Sequence, residues 1–425
     1  MQITKGNQLA NGFCRIEGDP LLECIDLGDQ YISDFVSKEE IYSGAVSPLR
    51  VGIGQTSGLV QLYDSFAPEK MFKRYWYRSG INESMRRELK SVAESASSFL
   101  NLKPRETVLD IASNDGTLLS NYDSSLNRIG IDPSNVAGES PVYESQGIEL
   151  VNDFFSAAAY ESVTSAKAKI VTAVAMFYAL EDPVGFLNDV RKIIDDAGVL
   201  ILQLAYTPLS LEQNEFGNFT HEHLCYYDFR TMNAILEQTG FEVFDVELNA
   251  VNGGSIRVYA TVKGGIDRLP SPLNLISIGK TRKEAIVQYE KSLGLQGVQP
   301  YQDFMGRVEK LKFDTVNWLQ QRAENGETVI GYGASTKGNV LLQYYGITSD
   351  LLPYIAERSE EKWGLYTAGS GIPIISEDEM RAMKPDYLFA LPWFFISSFV
   401  EREADLLASG TRFVMPQPEL KIVGR

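Results

Sequence analysis

The sequence predicts an α/β protein organised around a parallel sheet, and three observations carry that prediction. Apolar strands recur at residues 107–111, 128–131, 170–175 and 199–204, helical apolar spacing fills the segments between them, and a second strand-turn-helix unit begins at 328–333. Strands that alternate with helices pair in parallel through crossover connections.

Residues 1–69 read as turn-rich, with short apolar runs at Ile25-Asp26-Leu27 and Leu59-Val60-Gln61-Leu62. From 83 to 102, Met85, Leu89, Val92, Ala93 and Leu100 recur at helical spacing and predict an amphipathic helix. The strand at 107–111 then runs into Asn114-Asp115-Gly116, a turn before the next helix. Segments 243–248 and 255–259 flank Asn252-Gly253-Gly254 and read as an antiparallel edge pair. Pro270 and Pro272 mark a domain boundary, 280–293 and 301–325 carry helical patterns, and 387–391 and 413–415 suggest later strands. There is no internal repeat and no low-complexity tract.

The 425 residues carry a formal charge of -17 with a pI near 4.7, which argues against non-specific nucleic-acid binding. A phosphorylated ligand must therefore be held by local donors. The first residues lack the apolar core of a signal peptide, and no apolar stretch approaches the length of a membrane span. Three cysteines do not make a disulfide framework, so a cytoplasmic location is expected.

Chemistry concentrates in three places. The strand ending at Asp110 meets the small residues Ala112-Ser113-Asn114-Asp115-Gly116, a turn that lets backbone N–H groups approach a ligand at a helix N-terminus. About twenty residues on, Asp132 ends the next strand where such folds bind ribose hydroxyls, so a nucleoside-bearing cofactor is expected. The only two histidines lie together in Thr220-His221-Glu222-His223, and histidine is the side chain suited to proton transfer near neutral pH. On an extended segment His221 and His223 would share one face and Glu222 the other. Finally, 331–339, Gly-Tyr-Gly-Ala-Ser-Thr-Lys-Gly-Asn, follows a strand and opens a helix. It is a ready anion site with Lys337 as a point charge, and it lacks the spacing of a Walker loop.

Asp110 to Leu119 resembles motif I of S-adenosylmethionine-dependent methyltransferases. More narrowly, the chain resembles the nucleotide-sugar C-methyltransferases of deoxysugar pathways through Tyr75-Trp76-Tyr77-Arg78-Ser79-Gly80, Asn152-Asp153-Phe154-Phe155, Met176-Phe177-Tyr178, the His-Glu-His run, Asn252 to Arg257 and the second glycine loop. The resemblance implies three domains: a zinc-ribbon-like unit over 1–69, a class I methyltransferase sheet of Rossmann-like type over 70–265, and a Rossmann-like nucleotide-sugar-binding unit over 266–425. It implies S-adenosyl-L-methionine as cofactor and methyl transfer to a carbon alpha to a ketone through a base-generated enolate. His223 is then the base, Glu222 orients it or a sugar hydroxyl, Tyr77 holds the enolate oxygen, and His221 joins the catalytic run or merely supports it. Asp110, Ala112, Asn114, Gly116 and Asp132 line the cofactor, with Asp153 on its adenine, while Ser335, Lys337 and Asn252 face the sugar nucleotide.

Two departures qualify the resemblance. Thr220 stands where family members have a tyrosine before His-Glu-His, which puts that tyrosine's role in doubt here. The two Cys-x-x-Cys pairs that hold a structural zinc in the family read Cys14…Glu17 and Gly54…Ser57, so no metal is expected, and Cys14 and Cys24 should be buried small residues. Expected partners are the nucleotide-sugar substrate and at most a weak homodimer, without nucleic acid or membrane. Sugar O- or N-methylation and a non-catalytic scaffold are the alternatives.

Overall fold

The computed structural model describes residues 12–65, 75–270 and 272–424. The expected boundary at 69–70, the opening eleven residues and position 271 in the Pro270–Pro272 stretch lie outside the described residues.

The N-terminal part is a sheet, not the turn-rich stretch expected. Strand β1 (Leu21–Tyr31) pairs antiparallel with β3 (Val46–Gly54), and β3 pairs with β4 (Val60–Leu62). The short β2 (Phe35–Val36) lies apart from them. The strand signal in β1 is hidden because its register slips between Glu23 and Ile25 and again between Asp26 and Asp29. Each slip inserts unpaired residues, so the buried Leu21, Cys24, Ile25 and Leu27 do not follow the period of two. Cys14, Gly54 and Ser57, three of the four positions that would carry zinc ligands, converge. The Cys14 Sγ lies 3.1 Å from the Ser57 Oγ, and a Cβ on Gly54 would stand 3.0 Å from that sulfur. Cys24 lies apart, its thiol donating to the Val51 carbonyl at 3.4 Å. Both cysteines are buried.

The central sheet contains β5 (Thr107–Ile111), β6 (Asn127–Ile131), β7 (Glu149–Val151), β8 (Ala168–Val174) and β9 (Ile194–Ala205). Cys225–Tyr226 forms β10, and the sheet is completed by β11 (Phe241–Asn249) and β12 (Ser255–Val262). The order is β11-β12-β9-β8-β5-β6-β7, with β5 to β9 parallel and the β11–β12 pair antiparallel at one edge. The chain winds away from β5 in both directions, which opens a crevice beyond the C-terminal ends of β5 and β8. The helix expected after Gly116 does not form; only a 3-10 turn at Leu119–Asn121 stands there. Local side-chain bonds take up the backbone groups instead: the Asp115 carboxylate accepts the Thr117 amide, and the Asn121 amide donates to the Thr117 carbonyl. Strand β10 does not join this sheet. It pairs with β4, so the N-terminal sheet takes its fourth strand from the middle of the chain.

The last sheet contains β13 (Val329–Tyr332), β14 (Ile355–Glu357), β16 (Ile374–Ser376), β17 (Tyr387–Ala390), β18 (Arg412–Met415) and β19 (Lys421–Val423), while β15 (Tyr366–Thr367) pairs with β2. Its order is β16-β14-β13-β17-β18-β19, parallel except at β19. The glycine loop leaves β13 at the point where this sheet reverses its winding, and it opens the helix Thr336–Tyr345.

Helix Pro272–Leu293 begins eight residues before the expected start and lies against β11. Gly279 interrupts the helical pattern in the sequence because the backbone of β11 approaches it: a Cβ there would stand 1.7 Å from the Phe244 carbonyl oxygen. Farther along this helix the buried Glu290 carboxylate accepts the Tyr206 hydroxyl at 2.6 Å and the Phe229 and Arg230 amides. It thereby closes the N-terminus of the helix Phe229–Gln238. Apolar side chains of all three large sheets join in one continuous core. No helix among the described residues is long and apolar enough to cross a membrane.

Glu290→Ala would leave three buried donors without an acceptor, at roughly 1 kcal/mol or more each. The variant is expected to lose about 3 kcal/mol of unfolding free energy, read as a lower urea midpoint with an unchanged slope.

Candidate active site

Two cavities meet at the sheet ends. The first, about 290 Å³, lies over the C-terminal ends of β5 and β8 and is bordered by Asp110, Ala112, Asn114, Asp132, Phe154 and Phe155 on one side. The second, about 370 Å³, is bordered by the glycine loop from Tyr332 to Thr336 and by Ser33, Asp34 and Phe35. Tyr75, Tyr77 and Glu222 belong to both walls, so these three side chains separate the two spaces.

At the first cavity, Ala112 and Asn114 adopt left-handed backbone conformations with φ of 57° and 51°, and the Asn114 side chain is held by the Ser79 amide at 3.0 Å and the Tyr77 carbonyl at 2.9 Å. The Asn114 amide donates to the Asp132 Oδ2 at 2.8 Å, and the Ser134 amide donates to Oδ1 at 2.8 Å. Each oxygen keeps one open lone pair, a match for two vicinal hydroxyls. Burial pushes the Asp110 carboxyl up to about 7, against the opposing Thr172 hydroxyl that donates to it at 2.6 Å. Gly116 lies outside the cavity wall. Its φ of 81° and the packing of Val142 and Tyr143 require glycine there. Asp153 also lies outside: it is exposed and accepts the Phe154 amide at 2.8 Å, while Phe154 and Phe155 form the wall.

The histidine run is a turn, not an extended segment, because the His223 amide donates to the Thr220 carbonyl at 3.0 Å. The expected facing therefore changes: Glu222 and His223 share the first cavity, and His221 points away, its Nε2 lying 3.3 Å from the Ser47 carbonyl of the N-terminal sheet. Burial lowers the His221 pKa, and it borders neither cavity. The His223 Nδ1 lies 2.9 Å from the Asn218 carbonyl, which can only accept, so the ring proton sits on Nδ1 and Nε2 carries a lone pair. Burial and then the Lys337 ammonium hold the His223 pKa down to about 3. Burial, reinforced by Asp34 and opposed by Lys337, pushes Glu222 up to about 7.

Three features escaped the sequence reading. Tyr178 packs its ring on His223 with centroids 3.8 Å apart, borders the first cavity and is held in its phenol form by burial and then by Glu222. Thr220 is buried, and its hydroxyl finds no hydrogen-bond partner among the described residues. Lys337 borders the first cavity rather than the loop's own. Its ammonium crosses the Phe394 ring at 5.2 Å and donates to the Asn252 carbonyl at 3.3 Å, drawn by the buried Glu215 and Glu222. Only its membership of the glycine loop was legible in the sequence. Ser335 caps its own helix by accepting the Gly338 amide at 3.0 Å and borders the second cavity. Asn252 borders the first cavity in a left-handed conformation. Tyr77 keeps 36% of its surface accessible, and burial of its hydroxyl followed by Asp115 raises its pKa.

Two family models match the chain in succession: a methyltransferase domain over residues 77–246 and a C-methyltransferase C-terminal domain over 250–418. The chain is also 26% identical over 417 residues to C-methyltransferase NovU of Streptomyces niveus, covering 96% of each sequence. The chain belongs to the S-adenosylmethionine-dependent C-methyltransferases. Solved structures similar to it include an S-adenosylmethionine-dependent methyltransferase from Clostridium acetobutylicum ATCC 824, at 13% identity and a TM-score of 0.34, covering 43% of this chain and 93% of that one. Another is the magnesium protoporphyrin IX methyltransferase of Synechocystis PCC 6803 with bound SAH, at 16% identity and a TM-score of 0.34, covering 43% and 88%.

If Asp132 receives the cofactor ribose, Asp132→Ala should weaken S-adenosylmethionine binding at least tenfold, since a hydrogen bond to a charged acceptor contributes about 1.5–3 kcal/mol. Calorimetry checks this; wild-type affinity in the variant would remove Asp132 from the site.

Proposed function

We propose that this C-methyltransferase acts on a nucleotide-linked ketosugar, methylating a carbon alpha to the ketone. The junction of the two cavities at Tyr75, Tyr77 and Glu222 carries the reading, because it lets a sugar reach the cofactor space while its nucleotide occupies the glycine-loop space. The described residues fit the cofactor: Asp132 offers two open acceptor positions, Phe154 and Phe155 offer an apolar slot, and carboxylates suit a cationic ligand. When bound, S-adenosylmethionine supplies an electrophilic methyl group on a sulfonium centre.

The residues here have one difficult task, which is to turn a C–H bond into a nucleophile. His223 accepts the alpha proton at Nε2, and the C–H electron pair becomes the enolate that then forms the new carbon–carbon bond. The low pKa keeps the His223 ring neutral with its Nε2 lone pair free but makes it a weak proton acceptor, and the Nδ1–H bond to Asn218 fixes the ring for that transfer. Charge developing on the ketone oxygen needs donors that are already oriented. Tyr77 serves there, and the Tyr178 phenol beside His223 is the candidate for the hydroxyl that Thr220 cannot extend into the cavity. Glu222 orients the sugar across the junction.

A specific observation favours a second assignment, with Glu222 as the base. It faces both cavities, and a carboxylate pushed up to about 7 is matched to proton transfer at neutral pH. In either case the chain divides, on this proposal, into units near residues 69 and 265, with the first a zinc-ribbon-like unit that has exchanged ligands for packing.

With S-adenosylhomocysteine in place of the methyl donor, the enzyme should exchange deuterium from solvent into the substrate position beside the ketone. No exchange there, with methylation of oxygen or nitrogen, would replace the carbon assignment. His223→Asn should abolish this exchange while S-adenosylmethionine binding persists. The pH profile separates the two bases. Glu222 is protonated below about pH 7, so the wild-type rate should rise with pH through that value. In Glu222→Gln the rise should vanish with residual exchange retained if His223 is the base, and exchange should vanish altogether if Glu222 is.

A further inference from the structure

The two parallel sheets repeat one arrangement that only the first was expected to contain. In the central sheet β5 and β6 are parallel neighbours, and the acid just beyond β6, Asp132, accepts an amide of the loop leaving β5. In the last sheet β13 and β14 are parallel neighbours, and the acid ending β14, Glu357, accepts an amide of the loop leaving β13: the Ala334 N–H donates to its Oε2 at 2.8 Å. Both carboxylates border the cavity over their own loop. In sheets of this winding an acid at the end of the second strand meets the hydroxyls of a nucleoside sugar.

The two clasps differ in what they leave open. Asp132 has one amide on each oxygen. Glu357 has two on Oε1, from Arg358 at 2.8 Å and Ser359 at 2.9 Å, and one on Oε2. A carboxylate oxygen accepts about two hydrogen bonds, so Oε1 is filled and Oε2 has one position left. The Lys362 ammonium lies 3.7 Å from Oε2, beyond hydrogen-bond range, and donates one of its three N–H groups to the Ala334 carbonyl at 2.8 Å. It neutralises the carboxylate without closing that position. The Glu357 side chain is 13% exposed, so the remaining position opens into the cavity wall rather than into bulk water.

We infer that Glu357 receives one hydroxyl of the nucleoside sugar of the substrate, and only one. The enzyme then distinguishes the two ring hydroxyls of a ribonucleotide: one is read and the other is ignored, so the missing hydroxyl of a deoxyribonucleotide costs nothing if it is the ignored one. This rests on the reading that the second cavity holds the nucleotide part of a nucleotide-sugar.

The test uses the full-length protein saturated with S-adenosylhomocysteine. Calorimetry with uridine, cytidine, adenosine and guanosine diphosphates first ranks the base, and the tightest ligand is then measured as its 2′-deoxy and 3′-deoxy forms. One deoxy form should bind roughly ten- to a hundredfold more weakly and the other within about twofold of the parent. Equal losses for both forms would mean a diol contact and overturn the inference, as would no loss for either. In Glu357→Gln, whose S-adenosylhomocysteine affinity reports an intact fold, the penalty for the sensitive hydroxyl should shrink severalfold; an unchanged penalty would move that hydroxyl to another partner. If neither any of the four diphosphates nor thymidine diphosphate binds, the nucleotide-sugar reading itself falls, a result distinct from binding without hydroxyl discrimination.

Discussion

One buried ammonium organises the centre of this molecule. Lys337 arrives on the glycine loop of the last sheet, yet its charge lies with Glu215 and Glu222 of the middle of the chain. Those two carboxylates favour its charged form against the burial that opposes it, and its hydrogen bond goes to the Asn252 carbonyl, so the loop, the Glu215 turn and the histidine turn act on one another electrostatically. The Glu215 carboxylate is tied in turn to the Trp393 indole N–H, and the Lys337 stem crosses Phe394. The same ammonium opposes the rise of the Glu222 pKa and deepens the fall of the His223 pKa. Burial is the larger cause of both shifts, and the ammonium adjusts each of them.

Periodicity made the central sheet and its counterpart legible, because strands buried on both faces read as continuous apolar runs. Thr107–Ile111 and the β11–β12 pair stand where those runs put them. Where tertiary contacts override local pattern, the sequence misled. The bulges of β1 destroy its alternation, Gly279 looks like a helix break although strand β11 demands it, and the loop after β5 spends its hydrogen bonds on side chains instead of a helix. None of these causes is local to the residues concerned, except the last.

At the site, residue types were legible and directions were not. The scarcity of histidine singled out the run at 221–223, but one backbone hydrogen bond at Thr220 decides that His221 and His223 part company. Asp110, Ala112, Asn114 and Asp132 gather at one cavity as their spacing implied, whereas Gly116 and Asp153 stand outside it. Glu357 carried no signal beyond its distance from a glycine loop. Tyr178 was part of a recognisable segment, yet nothing in that segment revealed that its ring lies on His223.

The pairing of β10 with β4 has a consequence for how such a protein can change over generations. Two residues after His223 the chain enters a strand whose partner, Val60–Leu62, lies more than 160 positions earlier, and Leu62 also donates its amide to the Leu224 carbonyl. The first sheet is thus not an exchangeable module fused to an enzyme. A recombination event that replaced it with a foreign domain would remove the edge on which the histidine turn is registered, so the two segments are bound to be inherited as a unit. The short stretch from Val60 to Leu62 is thereby tied to the strand that follows the histidine turn.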